Sequence, residues 1–239
     1  MANTYFQFKQ FTVHQDKAAM KVGTDGVLLG AWAKIENCQT VLDVGTGTGL
    51  VALMIAQRNS KTAIHAIDVD NDAVQQANGN FRLSKWSDRL VAEHVSIQDY
   101  GRTNRRVLDH IVCNPPFFKN SFKSNDLARN VARHCDSLSY EELIKYSYNL
   151  LHETGRLSVV LPYDVMNEFV NIGQRTGFIL SRQMLIKPTP SKTFGRVLIE
   201  LSKKTDESCV YSEMIVEDKG RHGYSNEYIA LTNEFYLAM

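Results

Sequence analysis

Residues 40–49 read Thr-Val-Leu-Asp-Val-Gly-Thr-Gly-Thr-Gly, and this stretch decides the fold. The apolar run Thr40–Val44 predicts a buried strand, and the apolar residues Leu50–Ala56 predict a helix directly after the glycines. Gly45, Gly47 and Gly49 let the backbone approach a ligand closely at such a strand-to-helix turn. Asp68 ends the next predicted strand, where a carboxylate can accept hydrogen bonds from ribose hydroxyls. Together these features predict an α/β, Rossmann-like fold that binds a nucleoside-containing ligand at the turn.

Two details of the turn indicate which ligand it binds. The glycine spacing is G-x-G-x-G rather than the G-x-G-x-x-G of dinucleotide enzymes. Asp43 lies two residues before the first glycine, where a carboxylate repels a pyrophosphate but attracts the ammonium and sulfonium of S-adenosyl-L-methionine. The pattern therefore favours a methyl donor. A structural glycine turn and a nicotinamide dehydrogenase are the weaker alternatives.

The remaining chain alternates predicted strands and helices, which is typical of a parallel sheet with helices on both faces. The predicted strands are 62–68, 90–97, 107–113 and 156–161, and the predicted helices are 72–83, 138–151 and 163–176. Two later strands, 178–186 and 196–202, lack a helix between them and predict an antiparallel hairpin that closes the sheet edge. A short strand near 214–216 and an amphipathic helix follow.

We expect a single domain over residues 1–239, with a seven-stranded, mostly parallel sheet. Residues 1–38 form an N-terminal extension or lid, in which three phenylalanines (Phe6, Phe8 and Phe11) predict an edge strand or a flap packed on the body. A turn at 21–26 leads into a short helix that Thr24 or Asp25 can cap. Residues 39–204 form the Rossmann-like core, and residues 205–239 add a strand and a helix.

Composition bounds the function only loosely. With 239 residues, 44% of them hydrophobic, and a formal net charge of +1, the chain is typical of a soluble globular protein. Its start lacks the apolar stretch of a signal peptide, and no segment has the length of a membrane span, so we expect a cytoplasmic protein. Four scattered cysteines without C-x-x-C pairs indicate structural thiols and no metal site.

A second motif, Asn114-Pro115-Pro116-Phe117, follows the predicted strand that ends at Cys113. Proline has no N–H, so the motif stops strand pairing and offers acceptors: the Asn114 side-chain oxygen and the Pro115 carbonyl. With the Phe117 ring beside them, these acceptors match the exocyclic amine of a flipped-out base, which has two protons to donate. A simple turn at a strand end is the alternative interpretation.

The two motifs are predicted to face each other. In such folds the first and fourth core strands are neighbours at the switch point where ligands bind. The glycine turn and Asn114 then lie on opposite walls of one cleft, with the donor methyl facing the acceptor amine. Adenine's amino lone pair is delocalised into its ring. Acceptors at both N–H groups localise that lone pair and stabilise the developing positive charge.

Three basic clusters accompany these motifs, and clustered Lys and Arg can bind phosphates. They are Arg102, Arg105 and Arg106; Lys119, Lys123, Arg129 and Arg133; and Lys187, Lys192 and Arg196. A solvated loop is the alternative for any single cluster, but three clusters with an aromatic motif favour a polyanion. His134 is interpreted as a phosphate-contacting or hydrogen-bonding residue, with a general base as the alternative.

These residues resemble the amino-methylating class I methyltransferases with an N-P-P-[FY] motif, and among them the bacterial tRNA1(Val) adenine N6-methyltransferases. The resemblance covers nearly the whole chain. It is carried by residues 8–11, 20–26, 28–33, 43–49, 114–117 and 132–134, and Met20-Lys21-Val22-Gly23-Thr24-Asp25-Gly26 is its most family-specific string. The resemblance implies methyl transfer from S-adenosyl-L-methionine to N6 of adenine 37, beside the anticodon of the tRNA. It implies S-adenosyl-L-homocysteine as the product and no metal. We expect a monomer that binds the anticodon stem-loop and no membrane.

The motifs and the resemblance together assign the site residues. The catalytic residues are Asn114, Pro115, Pro116 and Phe117. The cofactor-binding residues are Lys21, Thr24, Asp43, Gly45, Thr46, Gly47, Gly49, Asp68, Ser96, Ile97 and Asn114. The substrate-binding residues are Phe117, Phe118, Lys119, Arg129, Arg133, His134 and Lys192.

The chain departs from the family pattern at two positions. Ser96 stands where the family tends to carry an acidic residue that reads the cofactor's adenine, and Asp99 is the alternative for that role. Phe117 stands where tyrosine is common. Release-factor glutamine N5-methyltransferases share Asn-Pro-Pro but have a separate helical domain before the glycine motif, whereas about 40 residues precede Asp43 here. The same motifs are compatible with a ribosomal RNA or DNA adenine methyltransferase, and with a non-catalytic RNA module that binds the cofactor.

Overall fold

An eight-stranded sheet organises the computed structural model, which describes residues 3–17, 20–103, 107–115, 138–204, 206 and 208–238. The strands are β1 (Tyr5–Gln7) and β2 (Thr12–His14), which form a separate hairpin, and then β3 (Thr40–Val44), β4 (Ala63–Asp68), β5 (Leu90–His94), β6 (Leu108–Cys113), β7 (Leu151–Pro162), β8 (Ile179–Lys187), β9 (Arg196–Ser202) and β10 (Val210–Ile215). The sheet order is β10-β8-β9-β7-β6-β3-β4-β5. Only β9 among these eight strands runs against the others.

Helices cover both faces of this sheet, as the sequence predicts. The described α-helices are α1 (Thr24–Trp32), α2 (Leu50–Arg58), α3 (Asn71–Leu83), α4 (Ile97–Thr103), α5 (Tyr140–Leu150), α6 (Met166–Thr176) and α7 (Asn226–Thr232). One apolar cluster joins α1, α2 and α3 to the face that carries Val112, and a second joins α4, α5 and α6 to the face that carries Ile111. These neighbouring residues of β6 serve opposite clusters because successive side chains of a strand alternate between its faces.

The mostly parallel sheet and the antiparallel β8–β9 pair are confirmed, but two details of the prediction are wrong. The sheet has eight strands rather than seven, because β10 pairs in parallel with β8 and forms the edge that the sequence assigns to the hairpin. The predicted strand 90–97 ends at His94, and Ile97 begins α4. The Ser96 hydroxyl accepts a hydrogen bond from the Asp99 N–H at 3.1 Å, a capping interaction that favours a helix there.

The predicted aromatic flap is confirmed. Phe8 and Phe11 are buried in the same apolar cluster as α1 and α2. The Lys9 N–H donates to the Phe235 carbonyl at 2.7 Å, so the flap is joined to the last residues described. Flap, core and C-terminal segment share this cluster, while the division at residues 38 and 204 stays a prediction. No helix in the described ranges is long and apolar enough to cross a membrane.

Candidate functional site

The two sequence motifs emerge at one edge of the sheet. β3 and β6 pair in parallel, with Val44 opposite Cys113. Gly45 and Asn114 each follow directly after those paired residues, so the glycine turn and the Asn-Pro motif begin side by side. The predicted neighbour relation of the first and fourth core strands is therefore confirmed, and the carboxyl edge of a parallel sheet is where ligands bind in such folds.

A cleft of about 330 Å³ opens at this edge, within the range of small-molecule sites. It brings together seven residues that the sequence assigns to the cofactor: Lys21, Thr24, Asp43, Gly45, Thr46, Gly47 and Asn114. It is also lined by residues that were not assigned: Met20, Gly23, Asp25, Gly26, Thr48, Leu50, Val51 and Arg196. The segment before α1, the glycine turn and Asn114 thus share one cavity.

The three glycines of the turn serve different purposes. All three have positive φ, at 70° for Gly45, 56° for Gly47 and 82° for Gly49. A Cβ on either of the first two would meet no atom within 4 Å, so both leave free space beside the backbone. A Cβ on Gly49 would lie 2.5 Å from Cε1 of Phe81, so this glycine allows α2 and α3 to pack closely. Gly49 does not line the cleft.

Asp43 is a buried carboxyl at the N-terminus of α2. The Thr46 hydroxyl donates to its Oδ2 at 2.7 Å, and the N–H of Ala52, the third residue of α2, donates as well. Burial raises the pKa of Asp43 to about 7; these two hydrogen bonds oppose the rise, and the charge of Asp68 adds to it. Because an opposite charge favours the ionised form, a cationic ligand group in the cleft would lower this pKa.

Other predicted cofactor residues lie beside the cleft rather than in its lining. Asp68 accepts from the N–H of Gly47 at 2.8 Å, so its carboxylate holds the glycine turn. The Ser96 hydroxyl donates to the Asp99 carboxylate at 2.9 Å, and Ile97 is buried. The roles of these residues toward the ribose and adenine of a cofactor stay predictions.

Asn114 carries a buried polar atom that has no hydrogen-bond partner in the described ranges. Its Oδ1 is buried and accepts no hydrogen bond from any described residue. A buried acceptor left in this state costs about 1–3 kcal/mol, so native structures retain few of them. Its amide nitrogen would lie 3.9 Å from a Cβ on Gly26, which shows how closely α1 approaches it. Pro115 follows as a buried residue, and the role of its carbonyl stays a prediction.

Amide side chains hold the segment before α1 against the glycine turn. Asn80 on α3 is 1% exposed. It accepts from the His14 N–H at 2.9 Å and donates to the carbonyls of His14 and Thr48 at 2.9 and 2.8 Å. Gln15 accepts from the N–H of Val22 at 2.8 Å. Sequence analysis missed these contacts because a single amide on a helix forms no pattern.

An ion pair across the cleft was also missed. The Arg196 Nε, at the start of β9, donates to Oδ2 of Asp25 at 2.9 Å. The predicted capping of α1 by Thr24 or Asp25 is wrong: Gly23 is the N-cap, no side chain caps the helix, and Asp25 pairs with Arg196. The sequence singled out Arg196 within a basic cluster, but a partner 171 residues away left no local signal.

Some predicted residues lie outside the described ranges: Pro116, Phe117, Phe118, Lys119, Arg129, Arg133 and His134. Lys192 is exposed in the loop between β8 and β9, and it does not line the cleft. In the part of the chain that the structure describes, no three His, Cys, Asp or Glu residues form a group suited to a metal ion. The expectation that the protein uses no metal stays a prediction.

Sequence comparison assigns the chain to a family. The model of the methyltransferase small domain matches residues 20–172. A tRNA1(Val) (adenine(37)-N6)-methyltransferase of Phocaeicola vulgatus is 47% identical over 239 residues, which cover 100% of both chains. Proteins of the same name from Flavobacterium psychrophilum and Trichodesmium erythraeum are 44% and 42% identical. The alignments cover 98% and 99% of this chain, and 100% and 99% of theirs.

Solved structures bear on the fold alone, because their identity to this chain is low. A structure described as a predicted O-methyltransferase from Agrobacterium tumefaciens has a TM-score of 0.69 at 16% identity, covering 88% of this chain and 96% of its own. A ribosomal protein L11 methylase from Lactobacillus delbrueckii subsp. bulgaricus has a TM-score of 0.52 at 18% identity, covering 75% and 77%. The Rossmann-like methyltransferase fold is thereby confirmed. Full-length similarity, the glycine turn and Asn114 agree, and the chain belongs to the tRNA1(Val) (adenine(37)-N6)-methyltransferase family.

Proposed function

We propose that this protein transfers a methyl group from S-adenosyl-L-methionine to the N6 amine of adenine 37, next to the anticodon of tRNA1(Val). Relatives that match it over their full length carry this activity in their names. One observation of the structure carries the proposal: in the cleft that the glycine turn lines, Asn114 Oδ1 is a buried acceptor without a partner among the described residues. The protein acts as a cytoplasmic monomer on the anticodon stem-loop.

The residues of the cleft fit this cofactor. Free space beside Gly45 and Gly47 admits a ligand against the backbone, and the poised carboxyl of Asp43 favours a cationic group. Lys21, in the segment that leads into α1, and Thr24, the first residue of α1, line the cleft opposite the glycine turn. When bound, S-adenosyl-L-methionine supplies a methyl group on a cationic sulfur and leaves as S-adenosyl-L-homocysteine. The remaining assigned residues complete its site: Thr46, Gly49, Asp68, Ser96 and Ile97.

Asn114 and Pro115 activate the acceptor amine. The Asn114 Oδ1 accepts one N–H of the adenine amine, and the Pro115 carbonyl accepts the other. The substrate thus supplies the partner that Asn114 lacks, and the binding relieves the cost of a buried, unpaired acceptor. Both oxygens carry partial negative charge, so they stabilise the positive charge that develops on the nitrogen. No strong base is needed, because the methylated amine releases its proton to water.

The aromatic and basic residues after the motif bind the RNA. Phe117 stacks on the flipped adenine, and stacking on an aromatic side chain contributes about 1–3 kcal/mol per base. The other assigned residues contact the bases and phosphates around it: Phe118, Lys119, Arg129, Arg133, His134 and Lys192. Counterion release makes such phosphate contacts sensitive to salt.

A methyl-transfer assay tests the function. Total tRNA from a strain that lacks this protein is incubated with the protein and radiolabelled S-adenosyl-L-methionine, and the modified nucleotide is mapped. We expect one labelled position, N6-methyladenine at position 37 of tRNA1(Val), and labelling about 10²- to 10³-fold slower with Asn114→Ala. Label on another nucleotide would assign a different substrate. Absence of label on any tRNA would contradict the proposal.

A further inference from the structure

Tyr163 lies exposed near the cleft with its ring packed on a second aromatic residue. It follows β7 directly and is 38% exposed. Its ring centroid lies 5.4 Å from that of Phe194, with 39° between the ring planes. Its N–H donates to the Gly195 carbonyl at 3.3 Å, so backbone and ring both contact the loop between β8 and β9. The phenol is therefore held in place while part of it remains open to solvent.

That loop carries positive charge without compensation by its own residues. Residues 187–196 contain Lys187, Lys192 and Arg196 but no Asp or Glu. The Lys187 Nζ lies 4.5 Å from the ring centroid of Phe194. Neither lysine forms an ion pair with any described carboxylate. Two acids adjoin this surface: the exposed Asp164 is next to Tyr163 in the chain, and the Glu217 N–H donates to the Pro188 carbonyl at 3.0 Å.

The surface is also preformed. The Gly195 N–H donates to the Ile186 carbonyl at 2.9 Å, and the Lys192 N–H donates to the Thr189 carbonyl at 3.1 Å. Prolines at two positions of the loop, 188 and 190, restrict its backbone further. A partner that binds a preformed surface loses less free energy to the ordering of protein groups.

The strand register separates Tyr163 from Asn114 along the edge of the sheet. Cys113 on β6 pairs with Val159 on β7, so Asn114 lies one residue past this pair and Tyr163 four residues past it. Three residues of strand correspond to about 10 Å. Arg196, which lines the cleft, pairs with Pro162 directly before Tyr163 and joins the two regions.

We propose that Tyr163 stacks on a nucleotide that flanks the methylated adenine, while Lys187 and Lys192 contact phosphates of the same single strand. The inference rests on the proposed function for its tRNA substrate. An exposed ring beside unpaired basic residues suits single-stranded RNA, because every base has a flat π-face and the backbone is anionic. Phe194 is a positioning residue that supports the Tyr163 ring.

Binding of the anticodon stem-loop tests this surface separately from catalysis. The variants are Tyr163→Ala, Tyr163→Phe and the matched control Tyr211→Ala, which removes a 69% exposed tyrosine on β10. The affinity for a fluorescein-labelled stem-loop is measured by anisotropy with S-adenosyl-L-homocysteine present. Affinity for S-adenosyl-L-methionine is measured by calorimetry. We expect Tyr163→Ala to raise the Kd for RNA about 5- to 150-fold. Tyr163→Phe keeps the ring and should change it less than about twofold, as should Tyr211→Ala.

The lysines are tested by salt dependence. Because each phosphate contact on a single strand contributes about 0.7 to the slope of log affinity against log salt, Lys187→Ala with Lys192→Ala should lower that slope by about 1.4. An unchanged slope would show that Lys187 and Lys192 do not contact phosphates of the RNA. If Tyr163→Ala bound RNA as tightly as Tyr211→Ala, the stacking role would be wrong. It would also be wrong if Tyr163→Ala weakened cofactor binding as much as RNA binding.

The outcomes separate this inference from the function on which it rests. Wild-type protein that binds the stem-loop through Tyr163 but methylates no tRNA would contradict the function and retain the surface. Methylation of the tRNA with unchanged RNA affinity in Tyr163→Ala would retain the function and contradict the surface. Wild-type protein that neither binds nor methylates the RNA would overturn both.

Discussion

The cleft and the sheet interior beneath it treat buried polar groups in opposite ways. In the cleft, Asn114 Oδ1 is buried without a hydrogen-bond partner in the described chain. Four residues beyond Arg196 on β9, the side chain of Glu200 is 0% exposed. It pairs with Arg156 at 2.9 Å and with Arg182 at 3.3 Å. One region leaves an acceptor open for a ligand, and the other satisfies its charge internally.

The buried network around Glu200 also includes a serine, a histidine and a cysteine, which are residue types that often take part in catalysis. The Ser158 hydroxyl donates to Glu200 at 3.3 Å and lies 2.9 Å from Nε2 of His110, whose Nδ1 lies 4.0 Å from the Cys38 sulfur. Burial lowers the pKa of His110 to about 4, and burial raises the pKa of Cys38 to about 12. Both groups are therefore uncharged at neutral pH, and the Cys38 thiol is a poor nucleophile because it is not ionised. Asn114 differs from this network because its buried acceptor both lacks a partner in the described chain and lies in the cleft, so residue type alone does not identify the site.

The largest expected effect is a loss of stability when the buried network around Glu200 is disrupted. Glu200→Ala leaves two partly buried arginines without their carboxylate and should lower the free energy of unfolding by about 3–5 kcal/mol. Denaturant unfolding measures it. The control Glu213→Ala removes an exposed carboxylate on β10 and should change stability by less than about 0.5 kcal/mol. Lost methyl transfer with unchanged stability in Glu200→Ala would make the network a functional site instead.

The next largest effect is a loss of methyl-transfer rate when the acceptor in the cleft is removed. Asn114→Ala removes an acceptor that acts on the developing charge, so the single-turnover rate of methyl transfer should fall about 10²- to 10³-fold. Stability should be unchanged or slightly higher, because a buried acceptor without a partner is removed. Affinity for S-adenosyl-L-methionine, measured by calorimetry, should stay within about twofold. A near-normal rate in this variant would refute the role of Asn114.

A smaller effect concerns pH. The protonated Asp43 is neutral and the ionised form attracts a cation, so affinity for S-adenosyl-L-methionine should rise with pH across the pKa of about 7. A single group with that pKa gives about a tenfold gain between pH 6 and pH 8. Calorimetry at several pH values measures this gain. Asp43→Asn should remove this component, and the difference between the two proteins isolates the carboxyl. Identical pH profiles would contradict the assignment.

The smallest expected effect concerns the hydrogen bonds that hold the segment before α1 against the glycine turn. Asn80→Ala removes the bonds to His14 and Thr48, so the segment should order less well and the Kd for S-adenosyl-L-methionine should rise about fivefold. Asn78→Ala is a matched control, since Asn78 lies on the same helix and exchanges two similar bonds with Ala92 of β5. Both variants should lose stability, but only Asn80→Ala should lose cofactor affinity. Equal cofactor affinity in the two would show that Asn80 is merely structural.

The elements of the fold that depend on neighbouring residues could be predicted from the sequence, whereas those that depend on distant contacts could not. Strand Thr40–Val44 and the start of α2 at Leu50 were predicted correctly, because apolar runs and glycines act on their neighbours in the chain. The strand predicted through Ile97 was too long, because the capping by Ser96 outweighed the apolar pattern. The sheet edge was misassigned, since nothing local states which strand β8 accepts as its outer partner.

The features of the site likewise divide into those that the sequence predicts and those that depend on the assembled fold. From the residues alone the ligand chemistry could be predicted, because it rests on glycines spaced G-x-G-x-G, a carboxylate before them, and an amide followed by two prolines. The assembled fold was needed to show that Asn114 Oδ1 is buried without a partner among the described residues and that Asp25 pairs with Arg196. Burial, and the partners that burial supplies or withholds, depend on contacts between residues far apart in the chain. Those contacts exist only once the sheet is assembled.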